Sequence, residues 1–135
     1  LVDVQKKVLE EDLSDFIKFK KSSDMSKVFP KTKLFISTQE LENFTSLSML
    51  EAMACENAII SFDVGQTNYF VDHCHNGFLV TDNNANEFAK RIIEFIKLPI
   101  EKQESMLKMS REIAINRHNK ENFSSELDHY FNHIL

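Results

Sequence analysis

Two glutamates, Glu42 and Glu51, lie nine positions apart around a polar segment that ends in Thr45 and Ser46. Glu51 is the odd residue, because Leu50, Ala52, Met53 and Ala54 surround it in a run of helix formers, residues 47–55. An ionised carboxylate in apolar surroundings is costly unless something hydrogen-bonds it, so Glu51 must reach solvent, a partner or a ligand. Paired hydroxyls, such as those of a ribose, suit a bidentate carboxylate acceptor. The plainer alternative is a glutamate on the solvent face of a helix. Thr45 and Ser46 stand where that helix would begin. Their hydroxyls would serve as its cap, and the same place suits an anion, because unpaired N–H groups and the helix dipole converge there. Glu42 alone would be a solvated loop charge. Together the two carboxylates bracket a potential anion site, a layout able to grip both ends of a sugar nucleotide.

The elements that must position these residues alternate. Residues 33–38 (KLFIST) and 58–62 (AIISF) are apolar runs without a polar face, which predicts buried parallel strands. Strand, loop, helix and strand fill about thirty residues, the size of a crossover unit. Residues 63–76 read as irregular or briefly helical, and residues 77–80 (GFLV) as a short strand. Three helices then follow. The first carries a stripe of Phe88, Ile92, Phe95 and Ile96, with Asn84 and Glu87 placed as a capping box. The second begins near Pro99 and carries Met106, Met109 and Ile113. The third has Ser124 as its cap, followed by Leu127, Tyr130, Phe131 and Ile134. Upstream, the spacing of Leu1, Val4, Val8 and Leu9 predicts a helix, residues 15–20 (DFIKFK) alternate as a strand would, and residues 22–29 predict a short helix capped by Ser22 or Ser23 and closed by Pro30. The pattern is α/β.

Composition removes several alternatives. The 135 residues suit one domain or part of one, and 42% hydrophobic content with twelve Phe allows a core. A net charge of −5 argues against nucleic acid as a partner. Only Gly65 and Gly77 are glycines, too few for a P-loop or a dinucleotide fingerprint. No apolar run approaches a membrane span of ~20 residues. Cys55 and Cys74 cannot make a disulfide framework and fit a reducing compartment. His73-Cys74-His75 reads as a polar loop, since adjacent residues rarely converge on one metal. His129 and His133 have a chelating spacing but no third ligand. No nucleophile elbow supports a hydrolase. No metal or other cofactor is expected.

Residues 34–80 resemble the carboxy-terminal domain of the family-4 retaining glycosyltransferases, which have the GT-B architecture. The resemblance rests on Glu42-Asn43-Phe44-Thr45-Ser46, then Leu50-Glu51-Ala52-Met53-Ala54-Cys55, then Phe62-Asp63-Val64-Gly65, then Asn76-Gly77-Phe78-Leu79-Val80, in the family's order. It implies a Rossmann-like, three-layer parallel sheet, truncated at its amino terminus, with residues 1–135 forming one partial donor-binding domain. It implies that Glu51 binds the nucleotide ribose, that Glu42 sits at the hexose as the catalytic carboxylate, and that Asn43, Phe44, Thr45, Ser46 and Leu47 meet the diphosphate or hexose. Gly65 and Gln66 would border the same cleft. The activity implied is hexose transfer from a nucleoside-diphosphate sugar to a glycan or lipid-linked acceptor, with the acceptor held by an amino-terminal domain outside these residues. The parent enzyme would be cytoplasmic or peripheral to the membrane, serving cell-surface polysaccharide or glycolipid synthesis, and the fragment alone inactive.

Three departures from the family pattern bear on these expectations. The loop between Glu42 and Glu51 is one residue longer than the family's commonest spacing, which would place Asn43 at the first carboxylate position. Glu56 replaces the usual glycine after the cysteine, and Gln66 the second glycine of the turn. Lost glycines would also suit a rival, a non-catalytic binding or regulatory module with a decayed cleft.

Overall fold

The computed structural model describes residues 2–41 and 46–134. Its centre is a three-stranded parallel sheet of β1 (Leu34–Ser37), β2 (Ala58–Phe62) and β3 (Gly77–Val80), in that spatial order. Leu34 pairs with Ala58 and Ile36 with Ile60, while Ile59 pairs with Gly77 and Phe62 with Val80. The described residues form five helices, α1 (Val2–Glu10), α2 (Leu47–Ala54), α3 (Ala85–Lys97), α4 (Ile100–Arg117) and α5 (Lys120–Ile134), of which α2, α3 and α4 pack on the sheet.

β2 is buried along its whole length, as its unbroken apolar run predicts. Successive side chains on a strand point to opposite faces. Ile59 therefore joins Met49, Ala52 and Met53 of α2 and Ile113 and Ala114 of α4 on one face. Ala58, Ile60 and Phe62 join Phe78, Val80, Phe88 and Phe95 on the other, beneath α3. α4 reaches both layers, sending Met106 to the α3 side. The result is the expected Rossmann-like α/β arrangement of helices on both faces of a parallel sheet. Each fully buried Ile or Met contributes about 1.5–3 kcal/mol of transfer free energy. Gly77 is required where it stands: a Cβ there would overlap the backbone carbonyl of Ile59 across the ladder.

Local differences from the sequence expectations have local causes. Residues 15–20 are turn and irregular chain, and Phe16 and Phe19 are exposed. Alternation alone does not make a strand, which needs a neighbouring ladder, and no described strand lies beside this one. β1 is half-buried rather than buried, since among the described residues only β2 pairs with it. In place of a helix over residues 22–29 there are two 3₁₀ turns, Met25–Lys27 and Phe29–Lys31. The cap of the first is Asp24, whose Oδ1 accepts from the Ser26 N–H at 3.1 Å, and Pro30 lies inside the second. In α3, Asn84 accepts from the Asn86 and Glu87 N–H groups, but Glu87 turns to Lys90 and Arg91 instead of completing a capping box. Ile96 is 64% exposed because it lies about 80° round the helix from Phe88 at ~100° per residue. α5 starts before Ser124: Asn119 Oδ1 accepts from the Asn122 N–H at 2.6 Å and opens the helix early. Leu127, Tyr130 and Phe131 face outward rather than forming a core stripe.

Candidate functional site

α2 carries Glu51 on its open side while burying Met49, Ala52 and Met53 on the other. Amphipathic spacing thus turns the carboxylate away from the core, so that it avoids desolvation. It has no hydrogen-bond or ion-pair partner among the described residues. It opens onto a cleft of about 460 Å³, whose opposite wall is the 3₁₀ turn with Ser23, Asp24, Met25 and Ser26. Phe29 forms an apolar part of the wall, and Cys55 a rim beside Glu51. The Asp24 carboxylate is already engaged, by Ser26 Oγ at 2.5 Å and Lys27 Nζ at 2.9 Å. Those hydrogen bonds, from Ser26 first and Lys27 second, hold its carboxyl below the usual carboxylate range. Sequence reasoning assigned this turn only a structural role. Its polar Ser-Ser-Asp run was a visible signal, but only the fold sets it against α2.

The two ends of α2 differ. At its carboxy end Cys55 is the cap, the Glu56 N–H donates to Met53 O at 3.0 Å, and the Asn57 N–H donates to Ala52 O at 3.1 Å. This is a Schellman motif, and Glu56 takes the left-handed conformation it requires, with φ at 59°. Asn57 is fully buried. Its two amide hydrogens are shared among Phe29 O, Ala52 O and Cys55 O at 3.0–3.2 Å, and its Oδ1 accepts from Thr32 Oγ1 at 2.5 Å. At the amino end, Ser46 is the cap residue, yet its side chain makes no capping hydrogen bond, contrary to the expected hydroxyl cap. Its backbone there has φ −97° and ψ 84°. The first N–H groups of a helix have no acceptor within it, so this end can donate to an incoming group.

Of the remaining expected site residues, Glu42, Asn43, Phe44 and Thr45 lie outside the described residues. Leu47 is exposed on the first turn of α2. Gly65 adopts φ 55°, the left-handed value that explains a glycine there, whereas Gln66 has φ −105° and holds its side chain without backbone strain. Gln66 opens onto a second cleft, between its turn and the α4–α5 junction, and not onto the one beside Glu51. His73 does not stand free: its Nδ1 accepts from the Leu79 N–H at 3.1 Å. Among the described residues no cluster of three metal-ligating side chains forms, and no helix is long and apolar enough to cross a membrane.

A parallel sheet between helix layers defines a Rossmann-like α/β domain. The family model for glycosyl transferases group 1 matches residues 3–113. The chain belongs to that family. It is 29% identical over 102 residues to the poly(ribitol-phosphate) alpha-N-acetylglucosaminyltransferase of Staphylococcus aureus (strain COL), a match covering 74% of this chain and 20% of that protein. It is 26% identical over 121 residues to the GtfA subunit of the UDP-N-acetylglucosamine–peptide N-acetylglucosaminyltransferase of Streptococcus gordonii, covering 84% of this chain and 23% of the subunit. The chain therefore spans about a fifth of the curated relatives it matches. The crystal structure of Anabaena HepE in complex with UDP superimposes with a TM-score of 0.86 at 20% identity, over 96% of this chain and 36% of HepE. That likeness is one of fold.

Proposed function

We propose that residues 1–135 form part of the nucleotide-sugar-binding domain of a retaining, family-4 hexosyltransferase, which moves a hexose from a nucleoside-diphosphate sugar to a glycan or lipid-linked acceptor. The observation that carries this reading is Glu51: within the matched family segment, it is an unpartnered carboxylate at the rim of a cleft large enough for a nucleoside. Glu51 accepts both ribose hydroxyls, an arrangement that satisfies its two oxygens. The nucleoside lies against the Ser23–Ser26 side of the cleft, with Phe29 as apolar floor. The diphosphate sits at the amino end of α2, where Ser46 and Leu47 with Asn43, Phe44 and Thr45 donate through the backbone and the helix dipole favours negative charge. Glu42 stands at the hexose, and Gly65 borders it. No metal takes part; the helix end carries that electrostatic work. The complete enzyme supplies the acceptor-side domain and works in the cytoplasm or at the membrane face, in cell-surface polysaccharide or glycolipid synthesis.

The relatives that suggest this chemistry are transferases of N-acetylglucosamine, and HepE was crystallised with UDP. An amide NMR titration of the chain with UDP, GDP and ADP, then their hexose conjugates, tests the reading. Perturbations of residues 23–29 and 46–51, abolished in Glu51→Ala, are expected. Silence to all three nucleotides, both in this chain and in the full-length protein, would overturn it.

A further inference from the structure

A second cleft is larger than the one beside Glu51. It has a volume of about 590 Å³, within the range of small-molecule sites, and runs between the turn after β2 and the α4–α5 junction. Its walls are tied together. Arg117 and Asp72 form a bidentate pair at 2.9 and 2.7 Å, which clamps the end of α4 to the loop before β3. The His118 ring stacks on Phe70 with centroids 4.7 Å apart, and its Nε2 lies 3.1 Å from Tyr69 O. Asn122 Nδ2 donates to Asn116 O, bracing the start of α5 against the end of α4.

The groups aimed at the cavity, in contrast, have no protein partner among the described residues. The side-chain amides of Gln66, Asn68 and Asn116 and the carboxylate of Glu126 all line it without a hydrogen bond or ion pair of their own. Tyr69 lies among them with 65% of its surface exposed. Amides both donate and accept, and a carboxylate accepts from paired hydroxyls. A flat aromatic ring covers the C–H face of a pyranose. Charge selects among sugars: the one cation in the wall, Arg117, is already spent on Asp72, and Glu126 is negative.

We infer that this cleft is a subsite for a neutral glycan, and that it holds the acceptor chain beyond the sugar undergoing transfer. The acceptor role rests on the transferase reading above; glycan binding itself does not. Gln66 lies on the turn at the carboxy end of β2, the side of a parallel sheet where ligands gather.

The test is an amide NMR titration of the chain with chitotriose and maltotriose, and, in parallel, with UDP. Either oligosaccharide is expected to shift Tyr69, Asn116 and Asn122, and Tyr69→Ala to weaken the effect by about fivefold or more, as loss of an aromatic contact should. UDP should leave those residues unmoved and shift the neighbours of Glu51. Oligosaccharide binding that UDP-hexose displaces would make this a donor pocket and overturn the inference. So would silence at these residues with UDP still bound at Glu51, which would leave the transferase reading intact. Glycan binding here with no nucleotide binding anywhere would sink the transferase reading and the acceptor role with it, while the glycan subsite would stand.

Discussion

The two ends of α2, a helix of eight residues, are built on opposite plans. At the carboxy end every group is satisfied within the chain: the Schellman bonds close the last turn, and buried Asn57 ties α2 to the Phe29 carbonyl and to Thr32. At the amino end the cap side chain makes no capping bond, and Glu51, one turn on, has no partner for its carboxylate among the described residues. The contrast teaches where stability and function separate on one short helix. Groups that are buried must be paired within the protein, or each costs about 1–3 kcal/mol. Groups meant for a ligand must stay unpaired, and so can do so only at the surface.

Breaking the sealed end should have the largest effect. Asn57→Ala removes four hydrogen bonds at a fully buried position, and a loss of about 2–4 kcal/mol is expected, read as a lower denaturant midpoint at constant m-value. A change below about 1 kcal/mol would mean that the two ends are not distinguished as described. Breaking the open end should do the reverse. Glu51→Gln is expected to leave stability within about 0.5 kcal/mol but to weaken UDP at least about tenfold, a cost of about 1.4 kcal/mol. Lost stability with unaltered affinity would make Glu51 a structural residue.

A substitution can also sharpen the sealed end. Glu56→Gly should raise stability by about 0.5–1 kcal/mol, because a left-handed φ of 59° strains a residue with a Cβ. The only tie it gives up is a 4.0 Å approach to Arg111, exposed on both sides. The smallest effect concerns the Arg117–Asp72 clamp. The Arg117 hydrogen bond beside Asp72 holds its carboxyl below the usual carboxylate range and raises the guanidinium's own value. A depressed carboxyl contributes stability above its unfolded value of ~3.9 and loses it as pH falls through the folded value. Asp72→Asn should therefore cost up to about 1 kcal/mol at neutral pH, with the difference from wild type shrinking in acid melts as pH falls below the unfolded value and through the folded one.

Much of this was legible in the residue order. The apolar run of residues 58–62 and its partner around Phe35 announce a parallel sheet, the Leu50–Cys55 segment announces its helix, and the Gly77 motif marks a strand whose backbone no larger residue could approach. The motif also marked Glu51 as exceptional, because a charge among apolar neighbours has few stable placements. The strand expected at residues 15–20 was misread because alternation records a tendency and not a partner.

By itself, then, the sequence determined the α/β class and the kinship with glycosyltransferases of group 1, since periodicity and residue chemistry are local properties carried by neighbouring positions. Only the tertiary structure decided that a 3₁₀ turn some twenty-five residues upstream faces Glu51, that Gln66 opens onto a different cleft, and that Asn57 seals the helix Glu51 belongs to. Each of those is a contact between segments distant along the chain. Such contacts are set by how helices pack on the sheet, a choice made by the whole core and written in no single stretch of residues.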